Sequence, residues 1–189
     1  MLKSPLPRRL PAQPIDLNTF KGLKFVILDP MLFETREIYD EISGTFQWQL
    51  FQNLDEPCAN YIKNDCINKR VFLIASGSMG RKIVPMIHDL PQLYAVYIFC
   101  ADVEFNQEWA LEYSKVRLVC NDDDKYLLPL FAVDVAQTNT EWADAFVKAA
   151  KYDKAKEKYT KALSNLNKYE RFRDVEMLND VTKKLQQLK

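Results

Sequence analysis

The sequence predicts an α/β domain built on an all-parallel sheet, with a helical appendage behind it. Three observations carry this expectation. Residues 70–102 read as one complete β-α-β unit: the apolar run VFLIAS, a glycine-containing turn (GSMG), an amphipathic helix, and the second apolar run AVYIFC. Runs without polar alternation belong to strands covered on both faces, which is the habit of parallel sheets. The same strand-then-helix alternation recurs from Leu23 to Val135, and after Gln137 the composition turns to Ala, Lys, Glu and Leu with no glycine or proline.

The elements follow in order. Residues 1–20 hold four of the nine prolines, Pro5, Pro7, Pro11 and Pro14, and no apolar stretch of the signal-peptide kind. Proline at that density predicts an extended, disordered arm. Within it, residues 8–14 have the form R-x-L-P-x-x-P, which resembles a ligand for SH3 domains; the plain reading is a linker. Leu23–Asp29 (LKFVILD) is the first strand, ended by Pro30. Met31, Leu32, Ile38, Tyr39 and Ile42 then recur at helical spacing up to Gly44. Trp48–Gln52 is the second strand. Asp55 is a plausible N-cap with Pro57 in the first turn, and Cys58, Tyr61, Ile62 and Cys66 line the next helix. Val71–Ser76 and Ala95–Cys100 are the third and fourth strands. Glu104–Tyr113 is a short helix with Phe105, Trp109 and Tyr113 on one face, Val116–Asn121 the fifth strand, and Asp122–Asp124 cap a helix through Val135. Pro85 and Pro129 fall inside helical patterns, where each must kink its helix or restart it. Tyr169–Leu188 reads as one long terminal helix.

Composition excludes several classes of function. Lys+Arg and Asp+Glu are both 26, so the basic excess of a duplex-binding protein is missing and nucleic acid is not an expected partner. The longest apolar run, Leu93 to Ala101, falls well short of the roughly 20 residues a membrane span needs. The four cysteines fit free buried thiols in a reducing, cytoplasmic setting. Cys58 and Cys66 sit about 12 Å apart along one helix at roughly 1.5 Å per residue, too far for a disulfide. His88 is the single histidine, so no zinc spacing exists and no metal or cofactor is expected.

In the appendage, Trp142, Ala143, Phe146, Tyr152, Asp153, Ala155, Tyr159, Ala162 and Leu163 fall at the spacing of a tetratricopeptide repeat, and Thr140 to about Asn167 resembles one such unit. Small residues (Ala143, Ala155, Ala162) let two antiparallel helices approach, while Trp142, Phe146 and Tyr159 fill the space between them. Ala150 stands where that family usually has the glycine of the turn, and Asn167 where it usually has proline. A lone repeat cannot bury its own faces. It must dock on the α/β domain, self-associate through residues 138–189, or be the first unit of a longer array. The resemblance implies a protein partner, although one repeat does not supply the family's peptide groove.

Residues 21–137, with five β-α units, resemble the small doubly wound sheet of flavodoxins and receiver domains, which implies strand order 2-1-3-4-5. They are similar to the flavodoxin-like modules found ahead of tetratricopeptide arrays in multidomain eukaryotic proteins. A receiver would need an aspartate ending strand three, an acidic pair ending strand one and a lysine ending strand five. Here those places hold Ser76, a single Asp29 and Asn121, so phospho-acceptor chemistry is not expected. A flavin site would want Ser and Thr after the first strand, not Pro30-Met31-Leu32-Phe33. His88 lies too far along a helix to serve Ser76 as a base.

Ligands of this topology gather at the carboxyl ends of the strands. There Asp29, Ser76, Gly77, Ser78, Gly80 and Arg81, in the turn Ser76–Lys82, form a candidate cradle for a phosphate or carboxylate, since amides at a helix N-terminus attract anions. The turn fits neither G-x-G-x-x-G nor the P-loop, and a plain capped turn explains the same residues. Asn121-Asp122-Asp123-Asp124 could bind a hard cation or simply start a helix, where negative charge suits the dipole. The expectation is therefore a non-catalytic protein–protein interaction or regulatory module, part of a larger multidomain protein. The alternative is a nucleotide- or anion-binding domain using Ser76–Lys82.

Overall fold

The computed structural model describes residues 9–29, 36–44, 48–52 and 55–188, with the backbone alone for 36–39. Pro5, Pro7, Arg8, Pro30, Met31, Leu32 and the side chains of Ile38 and Tyr39 lie outside the described residues. Contacts divide the chain into two compact units: Phe20–Leu127, and Leu128–Lys189 together with the N-terminal stretch up to Thr19.

The first unit is a five-stranded sheet in the order β2-β1-β3-β4-β5, every neighbouring pair parallel. Its elements are β1 (Leu23–Leu28), α1 (Arg36–Ser43), β2 (Gln49–Phe51), α2 (Asp55–Asp65), β3 (Arg70–Ser76), α3 (Gly77–Ile87), β4 (Leu93–Phe99), α4 (Val103–Ala110) and β5 (Val116–Cys120). β3 and β4 sit at the centre of the sheet with their side chains buried on both faces, which is why their sequences show no polar alternation. Val26, Leu28, Val71, Leu73, Ala75, Val96 and Ile98 pack with Cys58 and Ile62 of α2, Met79, Ile83 and Val84 of α3 and Ala110 of α4. The opposite strand face carries an aromatic row. Phe25 lies against Trp48 at 5.1 Å and Phe72 at 5.3 Å between ring centroids, and Phe72 meets Tyr94 edge-on at 5.3 Å. Pro85 sits inside α3, where it leaves the carbonyl of Arg81 without the usual donor. A π-turn, Asp123–Leu127, follows β5.

The second unit holds α5 (Leu128–Lys148), α6 (Tyr152–Lys168) and α7 (Val175–Gln187). The sequence expectation placed a helix end near Val135 and a new helix near Thr140. Instead α5 runs unbroken for 21 residues, and position 137/138 lies inside it. Pro129 falls in its first turn, where an amide has no intrahelical acceptor, so the helix restarts there without losing a bond. The terminal helix is also shorter than expected. It opens at Val175 rather than Tyr169, because Phe172 takes φ of 60° and the Asp174 carboxylate then accepts the Met177 amide at 2.8 Å as the N-cap. Ala143 and Phe146 of α5, Ala155, Tyr159, Ala162 and Leu166 of α6, and Met177 and Val181 of α7 form one core.

The α5–α6 turn closes on a left-handed residue. The Lys151 amide bonds back to the Phe146 carbonyl at 2.9 Å and the Ala150 amide to Val147 at 2.9 Å, the paired closure that needs a left-handed residue between. Ala150 fills that place at φ of 56°. Left-handed backbone costs a non-glycine residue about 1–2 kcal/mol. Glycine's extra freedom in the unfolded chain takes back about 0.5–1 kcal/mol of that relief. Ala150→Gly is therefore expected to stabilise the helical unit by about 0.5–1 kcal/mol, read as a higher urea midpoint at unchanged slope. A lower midpoint would show that the turn is not strained.

Candidate functional site

The carboxyl edge of the sheet is formed as its register dictates. Leu28 pairs with Ala75, so Asp29 and Ser76 stand one step beyond, on adjacent strands at the same edge. Asp29 is buried. Ser76 is extended (φ −67°, ψ 162°) and caps α3, its hydroxyl accepting the Met79 amide at 3.4 Å. Gly77 and Gly80 are buried, while Ser78, Arg81 and Lys82 are exposed. The structure thus brings Ser76, Gly77 and Gly80 together at the start of α3. It turns Arg81 elsewhere: its guanidinium lies over the Phe105 ring, 5.2 Å from the centroid.

The space beside the two glycines is filled by protein. A Cβ on Gly77 would stand 2.7 Å from Asn106 Oδ1 and 2.8 Å from Nδ2. Asn106, on α4, is buried and tethered at both ends: Nδ2 donates to the Asp102 carbonyl at 2.7 Å, and Oδ1 accepts from the Trp109 indole at 3.0 Å. A Cβ on Gly80 would stand 2.5 Å from Ile98 Cδ1 and 3.4 Å from Trp109 Cη2. Both glycines therefore serve close packing of α3 against β4 and α4. Asn106 was missed by sequence reasoning. Its one signal is Asp102, whose carboxylate accepts the Phe105 amide at 3.1 Å and so fixes position 106 in the first turn of α4.

Other candidates resolve into local structure. The Asp122 carboxylate accepts the Lys125 amide at 2.8 Å and that of Asp123 the Asp124 amide at 3.0 Å, so one oxygen of each caps the backbone of the π-turn. Among the described residues no group of three or more His, Cys, Asp or Glu is placed to hold a metal. His88 ends α3, the far end from Ser76, with Nδ1 3.1 Å from Asp89 and its ring edge-on to Tyr113 at 4.9 Å. All four thiols are free. Burial pushes Cys58 and Cys120 up to about 12 and raises Cys66 and Cys100, so none is a ready nucleophile. No helix among the described residues is long and apolar enough to cross a membrane.

In the helical unit, Ala143, Phe146, Ala155, Tyr159 and Ala162 are buried. Trp142 is half-buried, stacked on Phe146 at 6.1 Å with Lys158 over its face at 4.2 Å. The Tyr159 hydroxyl donates to Asp144, which also receives Lys184 of α7 at 3.1 Å; Lys184 reaches Asp180 at 2.9 Å. Burial first, and then Asp144, raise the Tyr159 phenol. Burial pulls the Lys184 ammonium down, but the Asp180 and Asp144 bonds outweigh it and hold it above its ordinary value. Three helices are thereby tied through one polar cluster.

Residues 9–19 carry no helix or strand, yet they are anchored to these helices. Arg9 pairs with Asp174, and Leu10, the leucine of the proline-rich motif, is buried. Compared with known proteins, the chain matches no family model, no curated protein and no solved structure.

Proposed function

We propose that the chain is a non-catalytic protein–protein interaction or regulatory module of a larger multidomain protein. One observation carries this reading: at the edge where a doubly wound sheet takes its ligand, the tethered Asn106 side chain fills the space beside Gly77. The helical unit supports it from the other side. Alanines at the α5–α6 contact with Phe146 and Tyr159 between them are what the tetratricopeptide resemblance implies, and members of that family work through protein partners. Free thiols support a reducing, cytoplasmic setting. Self-association through residues 138–189 is one form the partnership takes under this reading.

The rival reading, an anion or nucleotide at Ser76–Lys82, draws on the exposure of Ser78, Arg81 and Lys82 around the first turn of α3. A thermal-shift panel on the full chain separates the two, with ATP, GTP, FMN and sugar phosphates as probes. A ligand at about 100 times its Kd adds roughly 2.7 kcal/mol, several degrees for a chain of this size. The expected result is no shift. A shift that disappears in Arg81→Ala would overturn the proposal in favour of the rival.

A further inference from the structure

Helices α3 and α4 divide charge between them. α3 exposes Arg81 and Lys82 and carries no acidic residue, while α4 exposes Glu104 and Glu108 and carries no basic one. The helix dipole does not account for the division. Both cations sit in the first half of α3, and its last turn, where the dipole favours positive charge, holds none. Among the described residues none of the four charges has an ion-pair partner; Arg81 rests on the Phe105 ring instead.

The two helices are neighbours and run the same way. Each leaves the carboxyl edge of the sheet, α3 from β3 and α4 from β4, and Ser76 of β3 pairs with Phe99 of β4. The Arg81–Phe105 contact sets the cations of α3 level with the carboxylates of α4. Apolar groups lie open on the same helices. Met86 of α3, Phe105 of α4 and Leu111, the α4 C-cap, are 52, 48 and 46 % exposed. They are three of the six large hydrophobic side chains left exposed among the described residues, so this face holds half of them. Open apolar groups rimmed by charge mark an interaction surface.

A face that is basic on one side and acidic on the other is complementary to itself. A two-fold axis along the seam, parallel to both helices, lays α3 of one copy on α4 of the next with their directions kept, so the cations meet the carboxylates twice over. A two-fold across the helices would instead bring α3 onto α3 and like charges together. We propose that the sheet unit pairs with a second copy of this chain through α3 and α4. Met86, Phe105 and Leu111 supply the apolar contact, and the two charge sets fix its register. Two short helix faces make a small interface, so the pairing is reversible and depends on concentration. This deepens the interaction-module reading: it names the partner and places the contact in the sheet unit rather than in residues 138–189.

Sedimentation equilibrium on the full chain is the test. The mass is expected to climb from that of one chain toward that of two as concentration rises to about 1 mM. Two charge swaps follow, one carrying Arg81→Glu with Lys82→Glu and the other Glu104→Lys with Glu108→Lys. Each sets like charges across the axis and is expected to abolish pairing. Mixing the two swapped chains restores complementarity at both contacts and is expected to restore the dimer, which chains damaged in their fold could not do. A single-chain mass at every concentration overturns the proposal and leaves the face to a partner of another kind. A dimer that survives both swaps also overturns it and puts self-association elsewhere, as in residues 138–189. So does pairing lost in the swaps and not recovered in the mixture. A nucleotide hit at Ser76–Lys82 would sink the wider reading without changing these masses, so the two failures are distinguishable.

Discussion

Gly80→Val is expected to lower the unfolding free energy of the full chain by about 3 kcal/mol, at the upper end of what overpacking a core costs. The first added carbon alone would lie 2.5 Å from Ile98 Cδ1, and Ala75 and Trp109 close the other sides at 3.8 and 3.4 Å. Ile98 has no exposed surface, so its methyl has no solvent side to swing into. Arg81→Ala, one residue on, removes an exposed side chain resting on a half-exposed ring and should stay within about 0.5 kcal/mol. The pair of urea melts separates packing from binding at this turn. An unchanged midpoint in Gly80→Val would mean that the glycine is there for something other than the approach of α3 to β4. Gly77→Ala carries the same logic with a built-in check. Its obstacle is the tethered Asn106 amide, so adding Asn106→Ala should recover part of the loss.

Much of the α/β architecture was legible because burial on two faces leaves a one-dimensional trace. VFLIAS and AVYIFC carry no polar alternation, and that pattern exists only for strands covered on both sides. Parallel pairing and right-handed crossovers then leave few topologies, and the observed order is among them. The site was less legible. The glycines at the start of α3 read equally well as an anion cradle and as a packing device, since both uses need a missing Cβ. What decides is Asn106, some thirty residues away, and nothing in EFNQEW marks that amide as the group that fills the crevice.

In the helical unit the turn between α5 and α6 was legible, but the unbroken run of α5 and the start of α7 were not. Residues 149–188 contain no glycine or proline, so the turn after α5 rests on left-handed Ala150 at φ of 56° and the loop before α7 on left-handed Phe172 at φ of 60°, the second of which nothing in the sequence flags. The start of α7 was readable only from Asp174 as an N-cap. Conversely, Pro129 looked like an interruption and proved to be a helix start. The arm could not be placed at all, because its partners in α5 and α7 stand 127, 128 and 165 residues away. Such pairings leave no periodicity in the chain.

Stability of the sheet unit is expected to be level near neutral pH and to fall steeply above about pH 9, through two thiols. Burial, aided by Cys66 and Asp55, pushes Cys58 from 9.0 up to about 12. Burial does the same to Cys120, from 9.0 to about 12, against a hydrogen bond from the Asp122 backbone that pulls the other way. Unfolding returns both to water. Between pH 9 and 12 the unfolded chain has lost these protons and the folded chain keeps them. The unfolded state then binds fewer protons, so stability declines as pH rises; below pH 9 both states are protonated and the contribution is constant. Each pH unit in that window removes about 1.4 kcal/mol per thiol, or about 3 kcal/mol for the two. Solvent screens little of this, because Cys58 is 0 % and Cys120 4 % exposed. Tyr61, also raised to about 12, adds a smaller slope above pH 10, its ordinary value. Urea melts from pH 7 to 11 on the full chain measure the slope. Cys58→Ala with Cys120→Ala should begin lower at pH 7, through lost packing, and then decline far less steeply. An identical slope in that variant would show that ionisation elsewhere governs alkaline unfolding, and that the thiols are not sealed in the core as this packing requires.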